Sequence, residues 1–113
     1  MARKAQVRGI GGYVPDKVLS NADLAEIMDT SDEWIQQRTG IRERRICDPE
    51  KGEGTLWLSE KAASRALEDA GLTGADVDLV IVATVTMEMT CPSTAARLAD
   101  VARRAALDAA LDG

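Results

Sequence analysis

Between Asp78 and Thr84 the chain runs Leu-Val-Ile-Val-Ala without a polar residue, and three of the five are β-branched. With no alternation to turn one side toward water, such a segment reads as a strand covered on both faces. Residues 5–10 (Ala-Gln-Val-Arg-Gly-Ile) read as an earlier strand, weakened by its glycine. A strand, then helices, then a buried strand begins a right-handed parallel crossover, so the expected class is α/β with element order β-α-α-α-β-α. Thr84 to Pro92 then leaves the carboxyl end of the buried strand, the edge at which open α/β sheets place ligands.

The helices are marked by their punctuation. Gly11-Gly12-Tyr13-Val14-Pro15-Asp16 has turn chemistry, and Ser20 or Asn21 can cap a short helix over 22–28 with Leu24, Ile27 and Met28 on its apolar side. Thr30 and Glu33 have capping-box spacing, and Gly40 suits the position just past a helix end. The short helix between them puts Trp34 and Arg38 on one face. An indole beside a guanidinium can clamp a nucleotide, the base stacking and the arginine taking the phosphate. The same pair also fits a surface helix whose Trp caps the core and whose Arg meets a Glu, and on the residues alone this is the default.

Residues 47–55 read as a surface loop carrying Cys47. Leu56 to Ala70 forms an amphipathic helix stopped by Gly71, with Trp57 assigned to packing rather than ligand stacking. Met87, Met89 and Cys91 make the 84–92 loop soft and apolar; on the residues alone they tuck under a helix. Pro92-Ser93-Thr94 opens a last helix over residues rich in Ala, Leu, Arg and Asp.

Totals exclude several functions. A net charge of −5 argues against general nucleic-acid binding, leaving the arginines at 38–45 as a local cluster fitted to one small anion. Two cysteines and no histidine cannot build a four-ligand zinc site, a disulfide framework or a Cys-His pair, so no metal is expected. The first residues lack a signal peptide's apolar run and the 79–85 run is too short to span a bilayer, so no membrane partner and a cytoplasmic location are expected. With aromatics at 3% and no Phe, a core must be assembled from many small contacts.

Asp29-Thr-Ser-Asp-Glu-Trp-Ile35, followed by Arg38-Thr-Gly-Ile-Arg-Glu-Arg44, resembles the signature of β-ketoacyl-acyl carrier protein synthase III. Gly12-Tyr-Val-Pro15, Ser20-Asn-Ala-Asp-Leu24, Val82-Ala-Thr84 and Pro92-Ser-Thr94 agree in order and spacing, so the resemblance covers residues 5 to about 98. It implies an incomplete thiolase-like fold: the N-terminal half, with a mostly parallel sheet and covering helices. Residues 1–113 would be that partial domain, and residues 99–113 a divergent Ala/Arg/Asp-rich helical tail.

The family's members are acyltransferases that condense an acyl-CoA primer with malonyl-acyl carrier protein to initiate fatty-acid synthesis, without a cofactor and as homodimers. By resemblance, Trp34 stacks on the adenine of coenzyme A, Thr30 hydrogen-bonds beside it, and Arg38 meets the phosphates. Cys91 stands where members place a residue at the end of the acyl pocket or at a subunit contact. The family's nucleophile lies in an Ala-Cys-Ser-Gly-Phe-like turn; here Arg103-Arg-Ala-Ala-Leu-Asp-Ala-Ala-Leu-Asp-Gly113 stands in its place, and neither Cys47 nor Cys91 matches it. The Cys-His-Asn catalytic set is missing, so no residue is assigned to catalysis and the chain is expected to be an inactive fragment. The alternative is a non-catalytic module that binds coenzyme A or pairs with a complete synthase.

Overall fold

The computed structural model describes residues 3–112. They divide into two compact units, Val14–Glu53 and the described part of Met1–Tyr13 with Gly54–Gly113. Among the described residues the deeply buried apolar side chains are few: Ile35 and Pro15 in the first unit and Leu98 in the second.

In the Val14–Glu53 unit, β1 (Val18–Ser20) pairs antiparallel with β2 (Glu43–Arg45), Leu19 opposite Arg44. Helix α1 (Asn21–Ile27) follows β1 directly. Ser20 caps it: its hydroxyl accepts from the Asp23 amide at 3.1 Å, and the Asp23 carboxylate accepts the Ser20 amide at 2.8 Å. Those bonds from Ser20, side chain first, hold the Asp23 carboxyl below the ordinary range. Helix α2 (Asp32–Thr39) ends at Gly40 in the left-handed conformation, as its sequence predicts. Its cap is Ser31, not Thr30: the helix begins at Asp32, one residue later than the Thr30–Glu33 spacing implies, and the Ser31 hydroxyl accepts from the Trp34 amide at 3.2 Å.

The expected apolar side of α1 packs only in part: Leu24 is half-buried, while Ile27 and Met28 are exposed. A polar anchor docks the helix instead. Asn21, 1% exposed, donates from Nδ2 to Asp32 Oδ1 and to the carbonyl of Ile41, both at 2.8 Å. Its Oδ1 accepts from Arg44 at 2.9 Å. One amide therefore ties α1, α2 and β2 together.

In the other unit, α3 (Thr55–Ala70) ends at Gly71 as expected and packs against α4 (Thr94–Leu111), which Ser93 caps. The alanines of α3 serve the chain's first segment. A Cβ on Gly11 would overlap the Ala62 carbonyl and the Ala66 amide, so only glycine lets that backbone lie directly on the helix. Tyr13 meets Trp57 edge to face with ring centroids 5.0 Å apart, which confirms Trp57 as a packing residue. Arg65 spans the junction, over the Tyr13 ring at 4.8 Å and donating to the Gly12 carbonyl at 2.8 Å.

The mostly parallel sheet is not found. The sheet among the described residues is the antiparallel pair β1–β2, and neither 5–10 nor 78–84 joins a ladder. Ile81, expected to be covered on both faces, is 81% exposed. The reason is that a strand takes its hydrogen bonds from a neighbour, and none of the described segments lies in register with either run. The tail is helical through Leu111, while Met1, Ala2 and Gly113 lie outside the described residues.

Two outcomes follow from this packing. Asn21→Ala leaves Asp32, Arg44 and the Ile41 carbonyl without their shared partner. It is expected to destabilise the Val14–Glu53 unit by about 2 kcal/mol or more, read by urea unfolding through Trp34 fluorescence in a Trp57→Phe background. Asn21 and then Gln36 hold the Asp32 carboxyl below its ordinary range, so that stabilisation is present above the unfolded aspartate range. It is lost as pH falls through the depressed folded value, and the Asn21→Ala penalty should shrink there. Exposed, unpaired apolar backbone favours edge-to-edge association. The chain should sediment as oligomers whose mass falls in Ile81→Lys; a monomer with one sharp unfolding transition would contradict this.

Candidate functional site

Helix α2 presents the site. Its acidic first turn, Asp32 and Glu33, suits the positive end of a helix, and Arg38 suits its last turn. Side-chain pairs four apart stiffen it: Gln36 donates to Asp32 at 2.7 and 2.8 Å, and Gln37 donates to Glu33 at 3.2 Å. Ile35 turns into the unit as its buried anchor, so Trp34 and Arg38 are left on the open side.

There the guanidinium of Arg38 stands over the Trp34 ring, 5.5 Å from its centroid. The indole remains 56% exposed, an unusual state for the largest apolar side chain in a unit that buries so little. Arg38 is in no ion pair among the described residues. Among the described residues Trp34 therefore caps no core and Arg38 serves no glutamate.

A depression of about 300 Å³ adjoins the indole, lined by Asp29, Thr30, Ser31 and Trp34. The Thr30 hydroxyl is buried and has no hydrogen-bond partner. Buried hydroxyls are normally paired, and an unpaired one beside an open depression marks a place where a polar group fits. The three residues expected to act together, Thr30, Trp34 and Arg38, thus sit on consecutive turns of one unit.

The rest of the arginine cluster does not converge on an anion. Arg44 is spent on Asn21, while Arg45 donates to the Pro15 carbonyl at 3.2 Å and lies 4.0 Å from Glu43. Strand alternation separates them: neighbours in β2 face opposite sides, so a run that looks clustered in sequence is divided in space. Of Arg38, Arg44 and Arg45, it is Arg38 that lies over the indole.

Cys91 is a free, exposed thiol of the other unit, and Cys47 is free and half-buried. Between α3 and α4 lies an apolar groove of about 250 Å³, bordered by Ala63, Leu67, Leu98, Val101 and Ala105. Its small side chains leave the interhelical space unfilled, a feature composition hints at but cannot locate. Among the described residues no three His, Cys, Asp or Glu side chains could share a metal ion, and no helix is long and apolar enough to cross a membrane.

Thr30→Val removes an unpaired buried hydroxyl and nothing that pairs with it. It should leave the stability of the Val14–Glu53 unit unchanged or raise it by about 1 kcal/mol, measured by denaturant midpoint. A clear loss would show that the hydroxyl has a structural partner.

No family model matches the chain. It is 55% identical over 91 residues to the β-ketoacyl-[acyl-carrier-protein] synthase III of Caldanaerobacter subterraneus, covering 80% of this chain and 27% of that protein. A second such synthase, from Bacillus anthracis, is 54% identical over 89 residues, 79% of this chain and 28% of its own length. Among solved structures, the 3-oxoacyl-[acyl-carrier-protein] synthase III of Aquifex aeolicus superposes with a TM-score of 0.79 at 44% identity, covering 84% of this chain and 30% of that one. The priming β-ketosynthase of the R1128 polyketide pathway does so at 0.81 and 38%, covering 87% and 29%. The chain resembles synthase III, as its motifs imply, and has a partial thiolase-like α/β fold. It spans little more than a quarter of the length of the relatives it matches.

Proposed function

We propose that the Val14–Glu53 unit carries the nucleotide-binding wall of an acyl-CoA site of the synthase III type. The observation that carries this reading is the exposed Trp34 ring with Arg38 over it, beside a depression into which the unpaired Thr30 hydroxyl is buried. An aromatic face suits a purine, a free guanidinium suits a phosphate, and a buried hydroxyl supplies one directional contact. Asp29 lines the depression, so its carboxylate opposes an anion there. The uncharged base therefore belongs in the depression and the phosphates toward Arg38. Cys91 is assigned to the end of the acyl pocket or to a subunit contact.

In this reading the chain is part of an acyltransferase of fatty-acid synthesis that takes an acyl-CoA and an acyl carrier protein substrate. The complete enzyme is a homodimer in the cytoplasm and uses no separate cofactor. The 113 residues do not catalyse condensation by themselves. They contain no histidine, so neither free thiol has an imidazole base within the chain, and an unactivated thiol is a poor acyl acceptor.

Titration with acetyl-CoA, followed by Trp fluorescence, tests the site. Saturable quenching is expected in the wild type and in Trp57→Phe, and none in Trp34→Ala. Arg38→Ala should weaken binding about ten-fold and reduce its salt dependence. Absence of any response in the wild type overturns the reading. Addition of malonyl-acyl carrier protein should yield no condensation product from this chain.

A further inference from the structure

Glu88 stands apart from the residues so far assigned. It lies in the Thr84–Pro92 loop among Met87, Met89 and Cys91, where a lone carboxylate is out of keeping with soft apolar neighbours. Its Oε1 accepts the Leu56 amide at 2.6 Å, although 32 residues separate the two. Leu56 belongs to the first turn of α3, whose amides have no partners within the helix. The capping position is Gly54, which has no side chain to offer and makes no side-chain cap bond. A Cβ there would come within 3.1 Å of Oε1, so the glycine also leaves the space in which the carboxylate approaches. From the other side Arg97 of α4 reaches Oε2 at 3.8 Å. One residue before Leu56, Thr55 donates to the Thr86 carbonyl at 2.7 Å, and the two hydroxyls are 3.0 Å apart. The Leu56 amide is the main reason the Glu88 carboxyl is held below its ordinary range, with Arg97 adding to it.

We propose that Glu88 is a positioning residue, a latch that borrows the amino end of α3 to fix the loop carrying Cys91. Within the loop, Glu88 makes the charged tie to α3 and stands nearer to Cys91 along the chain than the neutral Thr55–Thr86 contact does. The loop's strand-like approach at 78–84 joins no ladder, and Met87 and Met89 are both exposed. A charged acceptor on helix amides is among the stronger single contacts available at a surface. The consequence for specificity rests on the assignment of Cys91 to the acyl pocket: where the latch places the loop, it sets the depth of that pocket.

The test uses the full chain in a Cys47→Ser background, so that Cys91 is the single thiol. Amide hydrogen exchange and the rate of Cys91 modification by a disulfide reagent are compared with Glu88→Gln, which removes the charge, and, independently, Glu88→Ala, which removes the acceptor. Both variants should speed exchange at Leu56 about ten-fold and change the Cys91 rate in parallel, while the amides in the middle of α4, in the same unit, report an intact fold. Faster Leu56 exchange with an unchanged Cys91 rate would make Glu88 a helix cap only and overturn the proposal. So would unchanged Leu56 exchange in the two variants. Protection of Cys91 by octanoyl-CoA is measured in parallel; its absence while the exchange signature holds overturns the pocket assignment and leaves the latch standing.

Discussion

Asn21 satisfies three elements of one unit through a single amide, and the rest of Val14–Glu53 follows from that. Its Nδ2 holds the start of α2 through Asp32 and the chain after α2 through Ile41, while its Oδ1 holds β2 through Arg44. With Ile35 and Pro15 as the deeply buried apolar side chains of the unit, a hydrophobic core supplies little of that cohesion. A fully satisfied buried polar group confers direction that apolar contact lacks. It orients α2 such that Ile35 faces in and Trp34 and Arg38 face out, and the candidate site is a consequence of this orientation.

The second unit is held differently, by close approach. Glycines at the start of the chain rest on the alanine face of α3, and α4 rests on the other side through Leu98. Where side chains are this small, contact depends on backbone proximity, so each cap and each anchor matters more. The Glu88 carboxylate at the head of α3 and Arg65 at the Tyr13 junction are polar ties placed where apolar area is lacking.

Much of the helical structure was legible from local chemistry. Gly40 and Gly71 close their helices in the left-handed conformation, Ser20 and Ser93 open theirs, and Trp57 packs. These are decisions made within a few residues, so nearby sequence is sufficient. The Trp34–Arg38 pair was legible for the same reason, being one turn of helix apart. The roles of Arg44, Arg45 and Glu88 were not, because each is determined by a partner more than 20 residues away.

The strands divide along the same line. The sequence by itself determined that residues 79–83 are apolar and β-branched and therefore suited to a covered strand. Only the tertiary structure decided that they stay unpaired, with Leu79 and Ile81 exposed and Val80 and Val82 half-buried, while the polar triplet Glu43–Arg45, with no strand signature, pairs with Val18–Ser20. A helix completes its hydrogen bonds within its own segment, so its sequence is a nearly sufficient instruction. A strand depends on a neighbour that its own residues do not specify, and whether that neighbour arrives is a property of the fold as a whole.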